Sequence, residues 1–515
     1  MNRSRRAWVA VVTAAALLAS ACGGDDDSSS IETEATEGSQ PAPVSNPPAT
    51  TAASGSGPAA AGGELAVGRG GSITGWSGDG CYTAATNQTL PMVYGTLLDW
   101  APDGQGVVPG LVEEWTFDPA APSYTLTLRD GLRFSDGSDL TSADVAFSVE
   151  QWKAGPINGG LFANIATAET PDDRTVVLQL AQADTFVEPL LSWCVSPVYP
   201  EDFGGKTPDE FFQAPIGAGP FMLSSWNNPG PSEEIVLDRN PNYWDAGLPL
   251  LDRIVYRSNP DPNQRVLAYR SGDLDVLEQV EYEVLPQLPE DELVYGANMG
   301  ILLLLVNTAR PPLDDVKVRQ AIALAIDRDA LTQLYGDRAE VATGILPNNV
   351  PFGGEPSSPW RYDLDEAKRL IAESSAAGGA SLELLSDAGE APMAQVIAAQ
   401  LAEIGMDLTI TTVDNGTLFA RGGEGDFDLQ INGNVATSPS ALDPILATQV
   451  IGWYYSGMPV DLGAEQLAAA RASEDDDERA QLVTEVQDLL VEQAGNIGLL
   501  TLDSTYAVKP GVTGF

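Results

Sequence analysis

The run "GILLLLVNT" at residues 300–308 holds six consecutive aliphatic residues, Ile301 to Val306. A strand that apolar has no face to give to water, so it belongs inside a sheet covered on both sides. The pattern around it alternates. "LDDVKVRQAIALAIDRDALTQLYG" reads as one helix capped by Asp314 or Asp315, with Val318, Ile322, Ala325 and Ile326 as its inner stripe. "LDEAKRLIAES" and "MAQVIAAQLAEIGM" read as further helices, and "SLELLS", "DLTITTV", "DFDLQIN" and "IGLLTL" as strands. Near the start, "GGELAVGRGG" opens as a strand, and "LDRIVYRSNPDPNQRVLAYRSGDLDVLEQV" gives strand, helix, strand. Helices and strands interleaved in this way build α/β layers with mixed sheets. No internal repeat is visible.

A chain of 515 residues is too long for one core, so two or three domains are expected. Its formal net charge of −47 repels phosphate backbones and argues against nucleic acid. Such a surface suits a salty exterior, or it attracts cationic solutes. The sequence has no histidine. That removes Ser-His-Asp and Cys-His catalysis and His-ligated zinc, leaving acid-base work to carboxylates, Tyr or Lys.

"MNRSRRAWVAVVTAAALLASAC" has a basic start, a short apolar run and small residues before Cys22, the layout of an export signal over residues 1–21. "LASAC" resembles a bacterial lipoprotein signal, which implies lipidation at Cys22, although Leu18 sits one position early. Residues 22–63 are rich in Ser, Thr, Pro, Ala and Gly and read as a disordered spacer. The body is therefore expected outside the cytoplasm, tethered by lipid to the outer face of the cell membrane or in the periplasm. Cys81 and Cys194 remain as an even pair, and either a disulfide or two buried thiols fits them. "FGGKT" lacks the first Gly of a phosphate loop, and "GAGPF" and "GEGDF" lack the third Gly of a dinucleotide fingerprint. No cofactor and no metal is expected.

One block carries more. "YTLTLRDGLRFSDGSDLTSADVAFSVE", Tyr124 to Glu150, alternates apolar and polar residues as a strand does. It turns at two Asp-Gly pairs and enters a helix through a Thr141–Asp144 capping box. With "VVPGLVEEWTF" before it, it resembles the signature of the extracellular solute-binding proteins of family 5, the peptide- and nickel-type receptors of ABC importers. "GAGPFMLSSW", "LDRNPNYW", "SGDLDVLEQV", "LLVNTARPPLDDVKVRQAIALAIDRDAL" and "LAEIGMDLTI" follow in the order expected of that family.

The resemblance implies a type II, periplasmic-binding-protein-like fold of two α/β lobes, with an extra subdomain inserted in the first. Lobe I is expected at residues 64–298 plus about 488–515, its inserted subdomain at about 93–215, and lobe II at residues 299–487. Crossings are expected near Asn298 to Leu302 and near the final helices. The implied role is capture of a solute in the cleft between the lobes and delivery to a membrane permease with its ATPase subunits, without catalysis. The solute is read as an oligopeptide or dipeptide. An oligosaccharide or other organic solute is the alternative, and a secreted carboxylate-based hydrolase or a signalling receptor the more distant ones.

Dipeptide receptors of the family pair an Asp with the peptide ammonium in a segment matched here by "INGNVATSPSALDP"; Thr437 stands near that place and Asp443 opens its "DP". By position in the family, Trp76, Tyr82 and Asn87 after the first strand, and Trp453 and Tyr454 after the "DP" segment, are the further cleft candidates.

Overall fold

The computed structural model describes residues 61–513, apart from 82, 102–105, 297–299, 348–354, 388, 436–456 and 460. The body is built on two large mixed sheets. The first has seven strands in the order Leu293–Tyr295, Thr505–Val508, Val276–Leu277, Glu64–Arg69, Arg253–Ser258, Glu234–Arg239, Phe221–Asn227. The second has six, in the order Ala339–Val341, Asn496–Leu502, Gly300–Val306, Leu429–Val435, Ala380–Ser386, Met406–Thr412. Gly300–Val306 lies inside the second sheet with Ile301 to Val306 all buried, as its unbroken apolar run requires.

A separate four-stranded antiparallel sheet, Val112–Asp118, Ser123–Leu128, Thr175–Leu180 and Ile165–Glu169, holds the long signature block. Tyr124, Leu126 and Leu128 point to the core on alternate positions. Gly131 and Gly137 follow the two Asp residues at φ +70° and +90°, where a side chain would be strained. The Thr141 amide donates to Asp144 Oδ2 at 2.7 Å and opens the helix Ser142–Ala154. The punctuation of that block thus builds a shape. Cys81 and Cys194 are joined, with Cα atoms 5.9 Å apart, and tie the loop after the first strand to the segment that follows this sheet.

Among the described residues, the chain passes between the large sheets twice. It leaves the first sheet after Tyr295 and enters the second at Gly300; it returns between Leu502 and Thr505. The return therefore lies later than residue 488. The helix Asp476–Gln493 and the strand Asn496–Leu502 both belong with the six-stranded sheet, and only Thr505–Val508 rejoins the first. The expected single helix after Asn307 is two, Val316–Ala325 and Arg328–Thr332. Ile326 is extended, and the Asp327 carboxylate takes the Ala330 amide as a new cap.

Side chains bridge the two lobes. Arg471, on the helix Ala464–Ala472, grips Asp184 with Nε at 3.0 Å and Nη2 at 2.5 Å, and its carbonyl accepts the Thr185 amide at 2.7 Å. The Asp184 side chain is buried, so this two-point ion pair is shielded from water. Asp184→Asn is expected to destabilise the fold by about 1–2 kcal/mol. A lower urea midpoint checks it; an unchanged midpoint removes the bridging role.

Candidate functional site

Glu64–Arg69, Arg253–Ser258 and Val276–Leu277 run parallel and end together. Just beyond them the Glu278 amide donates to the Gly68 carbonyl at 2.9 Å and the Val280 amide to the Thr505 carbonyl at 2.8 Å. The carboxyl ends of the first sheet's parallel strands thus sit beside the returning crossing. In the second sheet, Ala380–Ser386 runs parallel to its neighbours Met406–Thr412 and Leu429–Val435, and Gly300, where the chain enters, pairs with Val435 at the end of the latter. Crevices outside the carboxyl ends of parallel strands are where α/β sheets hold ligands. Here two such edges meet at the crossings.

The first edge is organised by a buried ion pair. Arg69 gives Nη2 to Glu233 Oε1 at 2.9 Å, Nη1 to Thr89 Oγ1 at 2.7 Å and to the Ala85 carbonyl at 3.3 Å, and Nε to Ser258 Oγ at 3.3 Å. Its guanidinium lies 4.6 Å from the centre of the Tyr256 ring. Glu233 also accepts the Ile73 amide at 2.7 Å and Trp226 Nε1 at 2.9 Å. Both charges are buried and each is fully engaged, so the pair fixes the loop after the first strand.

Glu278 lies on the other flank of Arg69, one residue beyond the paired Gly68 and Leu277. It is 6% exposed, its Oε2 has no hydrogen-bond partner, and none of Arg69's hydrogen bonds reaches it. Burial pushes its carboxyl up to about 7, with Arg69 pulling the other way. Trp76, on the loop after the first strand, packs edge-on to Trp226 with ring centres 6.1 Å apart, and its Nε1 is likewise unpartnered.

On the second edge, Ser386 is fully buried at the end of its strand and its Oγ has no partner. Tyr335 donates to Glu390 at 2.8 Å, and burial followed by the repulsion of Asp387 and Glu283 moves the Glu390 carboxyl up to about 7 despite that bond. The Tyr335 ring meets Tyr282 from the first lobe at 5.8 Å. A shallow depression along the helix Ala391–Ala402, between Leu334 and Val396, contains none of the buried unpartnered atoms.

The description "bacterial extracellular solute-binding proteins, family 5 Middle" matches residues 106–449. The chain belongs to this family. The glutathione-binding protein GsiB of Salmonella typhi is 29% identical over 433 residues, covering 79% of this chain and 82% of the relative. Among solved structures, the ABC transporter-associated periplasmic binding protein DppA from Helicobacter pylori, in complex with the peptide STSA, superposes with a TM-score of 0.78 at 24% identity, over 88% of this chain and 96% of that one. The binding protein AgaA from A. tumefacien R10, in complex with agropinic acid, gives 0.77 at 26% identity, over 88% and 94%. The two-lobe fold and a solute-binding role are thus those of this chain.

Few of the cleft candidates of this family 5 protein fall within the described residues. Trp76 is buried in the aromatic contact above, and Asn87 is half-buried on the helix Ala84–Tyr94, its amide donating to the Thr83 carbonyl at 2.9 Å. Cys22, Tyr82, Thr437, Asp443, Trp453 and Tyr454 lie outside the described residues. Reading the sequence missed Arg69, Glu233 and Glu278. A signal was present for two of them: an Arg closing an apolar strand before "GG", and a Glu closing "LDVLE".

Glu278 gives the site a pH signature. Its carboxyl is raised in the fold from an ordinary 4.5, so its contribution to stability is complete below pH 4.5 and is lost as pH rises through about 7. Compared with Glu278→Gln, the wild-type chain is expected to lose roughly 3 kcal/mol between pH 4.5 and pH 8. Urea midpoints of both proteins across that range check it, and parallel curves would refute it.

Proposed function

We propose that this protein is the capture subunit of an ABC importer for a short peptide or peptide-like solute, which it binds in the crevice at the two crossings and releases unchanged. The observation carrying this reading is the pairing of two parallel-strand edges at the two crossings that the sheet order traces among the described residues, with a buried acceptor, Glu278 Oε2, unpartnered at the returning one and a buried donor, Trp76 Nε1, unpartnered on the loop after the first strand. A peptide offers both complements, an ammonium and carbonyl oxygens. The glutathione-binding relative and the peptide-bound neighbour support the same chemistry. Trp76 and Asn87 belong to this crevice in the proposal, together with Tyr82, Thr437, Asp443, Trp453 and Tyr454. Lipid at Cys22 would hold the receptor at the membrane, with the permease and its ATPase subunits as partners.

Thermal unfolding in the presence of glutathione, dipeptides, tetrapeptides, opines and oligosaccharides tests the reading. A peptide at a hundred times its Kd adds about 2.7 kcal/mol and raises the midpoint. A midpoint moved by opines or sugars alone replaces the peptide with that solute class. Turnover of a solute by the isolated protein overturns the receptor role.

A further inference from the structure

We propose that Glu278 receives a cationic group of the solute, an ammonium or a guanidinium, on its unpartnered Oε2. This assignment rests on the reading of the crevice as a peptide site.

Leu277 turns to one face of the sheet, where a Cβ on Gly68 would meet Leu277 Cδ2 at 2.9 Å. The next residue must point to the opposite face. That is the face of Val67, Tyr256 and Val276, shared across the returning strand by Tyr506, and the charge of Glu278 acts on both tyrosines. Glu278 therefore projects at the carboxyl edge of the sheet, beside the crossing, and away from the helix Pro262–Ser271 that covers the other face.

A carboxylate there has no structural task that a neutral side chain could not perform. Arg69 is committed to Glu233, Ser258, Thr89 and Ala85, and the Glu278 amide alone continues the sheet. Leaving an acid oxygen buried and unpaired costs free energy that a leucine would avoid. A cation arriving in the crevice would remove that cost, because a desolvated carboxylate gains most from a charge-assisted bond. Trp76 Nε1, on the neighbouring loop and packed on the same Trp226–Glu233 cluster, offers a donor to a carbonyl or carboxylate oxygen of the same solute. One acceptor and one donor, both vacant, complement a molecule that carries both signs.

The experiment is calorimetric titration of the wild-type chain, Glu278→Gln and Glu278→Asp. The probes are glutathione, Met-Leu and Ser-Thr-Ser-Ala, each with its amino-acetylated form, together with an acetylated arginine dipeptide. Glutamine keeps the volume and removes the charge, and its unfolding midpoint verifies that the variant is folded. Expected is a loss of about a hundredfold in affinity for a free-amine peptide in Glu278→Gln, with little change for its acetylated form, and partial retention in Glu278→Asp. Repeating the titration at pH 7 in buffers of different ionisation enthalpy should reveal proton release in the wild type that is absent in Glu278→Gln. If the acetylated arginine dipeptide alone shows this dependence, the bound group is a side-chain guanidinium. Equal affinities in wild type and Glu278→Gln overturn the assignment and leave the receptor reading standing. Failure of every probe to bind the wild type overturns both.

Discussion

Glu233→Ala is expected to lower the unfolding free energy by about 3–5 kcal/mol, because it strands a buried guanidinium. Arg69 is 2% exposed and its charge has no second carboxylate bonded to it. The same change releases the Ile73 amide and the Trp226 indole from their shared acceptor. These three donors come from the first strand, the loop that follows it and the edge strand Phe221–Asn227, so the loss reaches across the sheet. Urea unfolding should show a lower midpoint at an unchanged slope, the mark of a stability change without a change in compactness. A control separates the charge from the packing. Removing both partners in Arg69→Met with Glu233→Leu should recover most of the loss, since a buried pair contributes little relative to apolar replacements. A Glu233→Ala midpoint within experimental error of wild type would show that the pair is not a keystone.

Replacing Cys81 and Cys194 together by alanine is expected to cost about 4–5 kcal/mol. The bridge spans 113 residues, and a loop of roughly 100 residues loses on the order of 4.7 kcal/mol of denatured-chain entropy when closed. Both cysteines are buried, at 1% and 2% exposure, so alanine introduces no polar atom while leaving small cavities. The bridged loop contains the whole four-stranded sheet, from Val112 to Leu180. Without it, the segment around Cys194 is held to the loop after the first strand by packing and by the bond from the Gly78 amide to the Tyr199 hydroxyl at 2.9 Å. The double variant should therefore unfold at a lower temperature than the wild type, and a reductant should lower the wild-type midpoint toward the same value. Identical midpoints in all three conditions would show that the bridge does not restrain the unfolded chain.

Much of the fold was legible because its signals are local. The apolar run at Ile301–Val306, the alternation in Tyr124, Leu126 and Leu128 and the Thr141–Asp144 box each state an element from a few residues. Thr505–Val508 was not legible: four residues become a strand only because Val276–Leu277 and Leu293–Tyr295 flank them. The same short strand moved the second crossing later than the periodicity of the final helices suggested. Asp327 inside an apolar helical stripe was a visible stop signal, overridden in reading by the regular spacing of Ile322, Ala325 and Ile326. The crevice was least legible. Arg69, Glu233 and Glu278 are far apart in sequence, and their burial follows from register between strands that no local pattern encodes.

The strand order has a consequence for how the chain is made. Thr505–Val508 slots between Leu293–Tyr295 and Val276–Leu277, and Val276–Leu277 in turn flanks Glu64–Arg69. A polypeptide made only as far as Leu502 lacks the piece that fills this gap, so the seven-stranded layer closes only after the whole six-stranded one has been laid down.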